Sequence, residues 1–156
     1  MTVRRAGERD IPRIGHLLLQ VHAVHSEQRP DIFRKGSRKY TDAELSLILK
    51  DGKTPVFVAV DETDTALGYA FCVLEEVKDN PSLCDRKSLY IDDICVDEAQ
   101  RGKKIGSLLY EHVLAFAKSE GCYHVTLNVW TLNEGAKRFY EKCGMTPLKT
   151  VMEKKL

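Results

Sequence analysis

The sequence lacks several things that would have decided its class at once. It has no CxxC pair, and its five cysteines (Cys72, Cys84, Cys95, Cys122 and Cys143) are scattered and odd in number. That spacing excludes a disulfide framework or a zinc site and points to a reducing compartment. It has no apolar run near the roughly 18 residues of a membrane span. The first ten residues, MTVRRAGERD, are charged and carry no apolar signal region, so the expected location is cytoplasmic. Charge of one sign is missing too: 24 Lys and Arg face 23 Asp and Glu. With that balance and no aromatic–basic repeat, neither nucleic acid nor an anionic membrane is an expected partner. Neither GxGxxG nor a P-loop occurs.

What is present fits one domain spanning 1–156, since roughly 150 residues is the usual size. TVRRA reads as a short strand. ERDIPRIGHLLLQVHAV reads as a helix, with Asp10 as N-cap, Pro12 in the first turn, and Ile14, Leu17, Leu18 and Val21 on one stripe. HSEQRPDIFRKGSRKY is a polar loop, and Thr41 caps a second helix, DAELSLILKDG. TPVFVAVDE and ALGYAFCVLEEV form a hairpin, and SLYIDDICVD is a third strong strand. An amphipathic helix follows with Ile105, Leu108, Leu109, Val113 and Phe116 on one face. Then come the strand CYHVTLNVW, the helix NEGAKRFYEKCG closed by Gly144, and MTPLKTVMEKKL as a last strand or pair of strands. The order predicts an α/β fold: a mixed, mostly antiparallel twisted sheet flanked by helices.

The most unusual stretch is QRGKKIGS, where two glycines and three cations open the amphipathic helix. The first amides of a helix lack intrahelical partners, and its dipole is positive there. Gly102 permits an unusual φ or a close ligand approach, Gly106 keeps the first turn bare, and Arg101, Lys103 and Lys104 add charge. Such a turn can hold phosphate oxygens on its backbone amides. An ordinary glycine turn with solvated cations has the same local composition.

The segment resembles the acetyl-CoA pyrophosphate motif of the GNAT acetyltransferases, Q/R-x-x-G-x-G/A. Arg101 takes the first position and Gly106 the last, while Lys104 stands where glycine is usual. NVWTLNEGAKRFYEKCGM is similar to the family's second signature, N-x-x-A-x-x-F-Y leading into E-K-x-G-F/M. Asn133, Ala136, Phe139, Tyr140, Gly144 and Met145 fall in register. The strand YIDDICV also matches the family's central strand, and the resemblance runs from Leu89 to Met145 in all.

The resemblance implies an acetyl-CoA-dependent N-acetyltransferase in which the acceptor amine attacks directly in a ternary complex. It implies that Ile94, Cys95 and Val96 pair with the pantetheine arm, and that residues Arg101, Gly102, Lys103, Lys104, Ile105, Gly106 and Ser107 hold the pyrophosphate. Asn133, Ala136 and Tyr140 would complete the cofactor site, although Asn133 is equally a helix cap. A bulge in the central strand would part it from HVTLNVW.

A primary amine with pKa about 10.4 is mostly protonated at neutral pH, a cost of roughly 4–5 kcal/mol. A carboxylate must therefore collect the ammonium and take its proton. In the resembling polyamine enzymes the acidic residue at the position of Asp92 faces the acceptor, which makes Asp92 the candidate base. Strand alternation places Asp93 on the opposite face, in a structural role. Tyr140 is the candidate acid, since a phenol can protonate a departing thiolate. Asn128 and Trp130 are candidates to line the acceptor slot, with core packing an equal alternative for Trp130, and HSEQRPDIF is expected to cover that slot.

Cys95 carries no sign of activation as a nucleophile. His22 and His25 lack the companions of a metal site, and no metal is expected. The acidic pair leans toward a small cationic amine as acceptor. A CoA-binding regulatory or scaffold domain, or an enzyme acting on protein or peptide amines, are the alternatives. Family habit also implies a homodimer.

Overall fold

Strand pairing runs in chain order through the computed structural model, which describes residues 1–156. The strands are β1 Thr2–Arg5, β2 Val56–Val60, β3 Ala66–Val77, β4 Arg86–Val96 and β5 His124–Leu127. Pairs are antiparallel from β1 to β4, and β5 joins β4 in parallel. That last pairing needs a crossover, supplied by a helix between the two strands. The helices are α1 Ile11–Gln28, α2 Asp42–Lys50, α3 Ile105–Ser119 and α4 Glu134–Lys142.

Each face of the sheet buries a separate core. Ile14, Leu17 and Leu18 of α1 and Leu45 of α2 pack on Val56, Val58, Tyr69 and Phe71. On the other face Leu109, Val113 and Ala117 of α3 pack on Phe57, Ala59, Ala70, Cys72, Leu89 and Ile91, with Phe139 and Tyr140 of α4 beside them. Covered on both sides, β2 is apolar throughout rather than alternating. Thr41 begins α2 in a capping box, its hydroxyl accepting from the Glu44 amide while Glu44 accepts from the Thr41 amide at 2.7 Å. Asp10 holds the N-cap position of α1 without capping it. Its carboxylate instead accepts from the Gly7 amide and the Arg4 guanidinium, a charged partner outcompeting a neutral one.

The feature that positions the site is an interruption of β4. Phe71 is paired with Asp93 and Cys72 with Ile91, so Asp92 is an extra residue, a bulge. Pairing between β4 and β5 begins at Ser88 opposite His124 and stops at Ile91 opposite Leu127, one residue before the bulge. Beyond it, Ile94–Val96 stay paired with β3 and have no strand on their other side.

Two expectations are corrected here. The strand CYHVTLNVW ends at Leu127, because β4 turns away and offers no partner to Asn128–Trp130. MTPLKTVMEKKL forms no strand at all. A strand without a ladder partner has unpaired backbone groups, and ion pairs of Glu153 with Arg29 and Lys155 with Asp31 draw this segment to the end of α1 instead.

Candidate active site

At the open end of β4 the chain passes through Asp97 and a short 3₁₀ turn, Glu98–Gln100, into residues 101–104. Gly102 and Lys104 both lie in the left-handed region, with φ of 82° and 62°. Lys104 occupies the N-cap position of α3, and its side chain makes no capping hydrogen bond. The amides of Ile105, Gly106 and Ser107 thus open the helix with no side-chain cap, flanked by exposed Arg101, Lys103 and Lys104. Uncapped helix amides beside three cations are a donor set that a pyrophosphate fits. A Cβ on Gly106 would meet Phe139 no closer than 3.5 Å, an ordinary contact, so packing does not demand glycine there.

The turn is tied to α1 by a residue that sequence reasoning passed over. Buried Asp97 accepts from the Ala99 amide at 3.1 Å, from the Arg13 guanidinium and from Gln20. Burial pushes its carboxyl up, yet these donors outweigh that and hold it below the usual carboxylate range. The Asx-cap pattern Asp97–Glu98–Ala99 was its only local signal.

At the bulge, both acidic residues face α1 and α2. Tyr90, Asp92 and the Tyr40 hydroxyl share that side, the hydroxyl donating to Asp92 at 3.1 Å. Asp93 sits opposite core residue Phe71 and accepts from the Tyr69 hydroxyl at 2.6 Å. The expectation that the two carboxylates point to opposite faces is therefore wrong: the extra residue breaks the alternation. Burial pushes the Asp93 carboxyl up to about 6, although the Tyr69 hydrogen bond and the charge of Lys39 act against it.

Asp92 is already paired. Lys39, from the segment between α1 and α2, places Nζ 2.7 and 2.6 Å from its two oxygens. Neither Lys39 nor Tyr40 was legible beforehand, because their partner lies more than fifty residues away in sequence.

The loop after α1 reaches toward the end of β5. Phe33 stacks on His25 with centroids 5.2 Å apart and meets Trp130 edge-on at 5.3 Å. Trp130 is 40% exposed and so is not core. Asn128 donates to the Tyr90 hydroxyl at 3.1 Å, joining β5's end to β4. His22 is within 2.6 Å of the Arg34 carbonyl and, like His25, packs on Phe33. No group of three His, Cys, Asp or Glu side chains is placed to hold a metal.

On the other side of β4, Asn133 caps α4 by accepting from the Ala136 amide at 3.2 Å. Tyr140 packs among Tyr110 and Phe139. Burial raises its phenol above the ordinary value, and the charge of Asp93 adds to the rise. Cys95 is buried, its Sγ directed at the Leu17 carbonyl, and burial pushes the thiol up to about 12. At that value it is no nucleophile at neutral pH. Ile94 and Val96 pack toward α3.

A sheet parted beside β4, with uncapped helix amides and cations beyond the end of that strand and carboxylates at its bulge, defines the acyl-CoA N-acyltransferase class of fold. The chain belongs to the acetyltransferase (GNAT) family, whose model matches residues 19–145. Over 68 residues it is 41% identical to glucosamine 6-phosphate N-acetyltransferase of Arabidopsis thaliana, covering 44% of each protein. It is 30% identical over 104 residues to streptothricin acetyltransferase of Streptomyces lavendulae, covering 67% of this chain and 51% of that one. The chain thus spans about half the length, or less, of these curated relatives. The crystal structure of a tetramutant of the BH1408 protein from Bacillus halodurans superimposes with a TM-score of 0.95 at 35% identity, over the whole of both chains.

Proposed function

We propose that the protein transfers an acetyl group from acetyl-CoA to a primary amine on a small molecule, by direct attack within a ternary complex. The observation that carries this is the end of the β4–β5 ladder at Ile91, immediately before Asp92, on the strand that leads through Glu98–Gln100 into the cationic turn at Arg101–Ser107. When bound, acetyl-CoA supplies the activated acyl group and a thiolate leaving group. The amides of Ile105, Gly106 and Ser107 hold the pyrophosphate, and the free backbone edge of Ile94, Cys95 and Val96 pairs with the pantetheine amides. Asn133 and Ala136 border the same cleft from α4. Asp92 gathers the acceptor ammonium and takes its proton, directly or through water. Tyr140, kept neutral by burial, returns a proton to the departing sulfur. Asn128 and Trp130 shape the acceptor side.

The two carboxylates support a cationic amine as acceptor. A second reading has its own observation: Arg34 and Lys35, exposed and in no ion pair, directly follow Phe33, which packs on Trp130. They favour an amine that also carries an anion, and one relative is named for glucosamine 6-phosphate. The reaction belongs in a reducing, cytoplasmic setting, which the five free cysteines support. No helix is long and apolar enough to cross a membrane.

Thiol release from acetyl-CoA, measured across polyamines, aminoglycosides, amino acids, peptides and amino sugars with and without phosphate, tests this function. Turnover with a polyamine and none with a sugar phosphate supports the first acceptor, and the reverse supports the second. Binding of CoA with no turnover on any amine would leave a cofactor-binding domain and no enzyme.

A further inference from the structure

The carboxylate assigned to collect the acceptor ammonium already holds an ammonium that belongs to the chain. Lys39 Nζ contacts both oxygens of Asp92, and the Tyr40 hydroxyl contacts one of them. The Lys39 side chain is 45% exposed while that of Asp92 is 19% exposed, so the amine enters the site from its solvent side. Its segment follows Gly36, which has φ of 72°. Chemically a lysine side chain is an alkyl primary amine, the same nucleophile with the same proton to lose as a free amine acceptor. Other lysines also pair with carboxylates: Lys50 with Glu8, Lys87 with Glu120 and Lys155 with Asp31. None of those carboxylates lies on β4 at the bulge. Lys39 alone among these pairs combines an amine with the proposed base.

We propose that Lys39 is an internal acceptor, taking the acetyl group from acetyl-CoA when no other amine is present. This rests on the acetyl-transfer function proposed above. The bond that forms joins Nζ to the acetyl carbon, and the bond that breaks is carbon–sulfur. The nitrogen begins as an ammonium and gives up two protons, the first to Asp92. The sulfur leaves with the bonding electron pair and takes one proton from Tyr140, which regains the nitrogen's second proton; once Asp92 sheds the first, one proton in all is released to solvent. The product amide is neutral. It can no longer neutralise Asp92, which becomes free to receive the ammonium of a second acceptor. Self-modification thus converts an occupied acceptor position into an open one.

The test is incubation of the full chain with acetyl-CoA and no added amine, read by intact mass and by peptide mapping. The expected result is one acetyl group per chain, on Lys39, at a rate independent of protein concentration. Lys50, Lys87 and Lys155 should remain unmodified, and Asp92→Asn and Lys39→Arg should abolish the modification. Acetyl groups spread over the surface lysines, or Lys39 modified equally in Asp92→Asn, would show simple chemical acylation and overturn the proposal. A second readout needs no CoA: a water-soluble amine-acylating reagent should label Lys39 more slowly in the wild type than in Asp92→Asn. Equal labelling would mean that the pair does not persist in solution, again overturning it. Failure of acetyl-CoA to bind, measured by calorimetry, would remove the proposed function and this inference together. A chain that turns over an added amine, yet keeps Lys39 bare when incubated with acetyl-CoA alone, would remove this inference alone.

Discussion

The Tyr69 hydroxyl donates a 2.6 Å hydrogen bond to the carboxylate of Asp93, linking β3 to β4 directly beside the bulge. Without that bond a carboxylate pushed up to about 6 by burial would be costlier still. Because the folded value exceeds the unfolded one, the associated stability is fully present below about pH 4 and is lost as pH rises through about 6. Asp93→Asn removes the charge, so relative to wild type it should gain roughly 1–3 kcal/mol between pH 4 and pH 7.5. Urea unfolding of both proteins at the two pH values measures this, and a pH-independent difference would mean that Asp93 is not buried as charge.

Asp92 and Tyr140 should separate by kinetic step. Asp92→Asn should raise the acceptor KM or lower kcat/KM while leaving CoA affinity nearly unchanged. Tyr140→Phe keeps the ring packing on Tyr110 and Phe139, so kcat should fall by roughly 10²-fold or more through loss of the proton donor. That loss should shrink with thioesters of more acidic thiols. Full activity of Tyr140→Phe across such a series would leave the tyrosine as packing.

Lys104 carries a conformational cost that its replacement would relieve. A non-glycine residue at φ 62° is strained by about 1–2 kcal/mol. Lys104→Gly should therefore hold CoA as well as wild type or better, while thermal unfolding registers any net gain left after glycine's added chain entropy. A tenfold loss of CoA affinity, about 1.4 kcal/mol, would make the Lys104 ammonium a direct phosphate ligand.

Most of this architecture was legible because it is local. Helix α3 and its glycine turn, the Thr41 box and the Asn133 cap all depend on neighbours within a few residues. The left-handed Lys104 explains physically why glycine is usual at that place in the motif. Side-chain partners from distant segments were not legible. Lys39 and Tyr40 meet Asp92, and Arg13 meets Asp97, only after the sheet and α1 have formed. The bulge was foreseen as a slot-opener, yet its effect on Asp93 was missed, since alternation was counted as though the strand were regular.

Gly68 is a further constraint that no motif announced. A Cβ there would come within 2.7 Å of the Cys95 carbonyl oxygen, a backbone atom that cannot swing aside. Gly68→Ala should destabilise the protein by about 1–3 kcal/mol and weaken CoA binding by shifting Cys95 and Val96. Chemical unfolding and calorimetry on the same variant would show both effects, and unchanged affinity would mean that the strand edge does not touch the cofactor.

Asp92 is the one residue of β4 that the sheet does not use. Its neighbours Ile91 and Asp93 sit opposite Cys72 and Phe71, which are themselves adjacent. Excising Asp92 would bring the two flanking residues together in the register they already hold, with every other side chain on its present face. The result would be a regular ladder without the residue proposed to meet an incoming amine. On that proposal the acceptor chemistry is an addition to the sheet, separable from it by a single codon. A single in-frame deletion would then remove the proposed activity while leaving the register of β3 against β4 as it is.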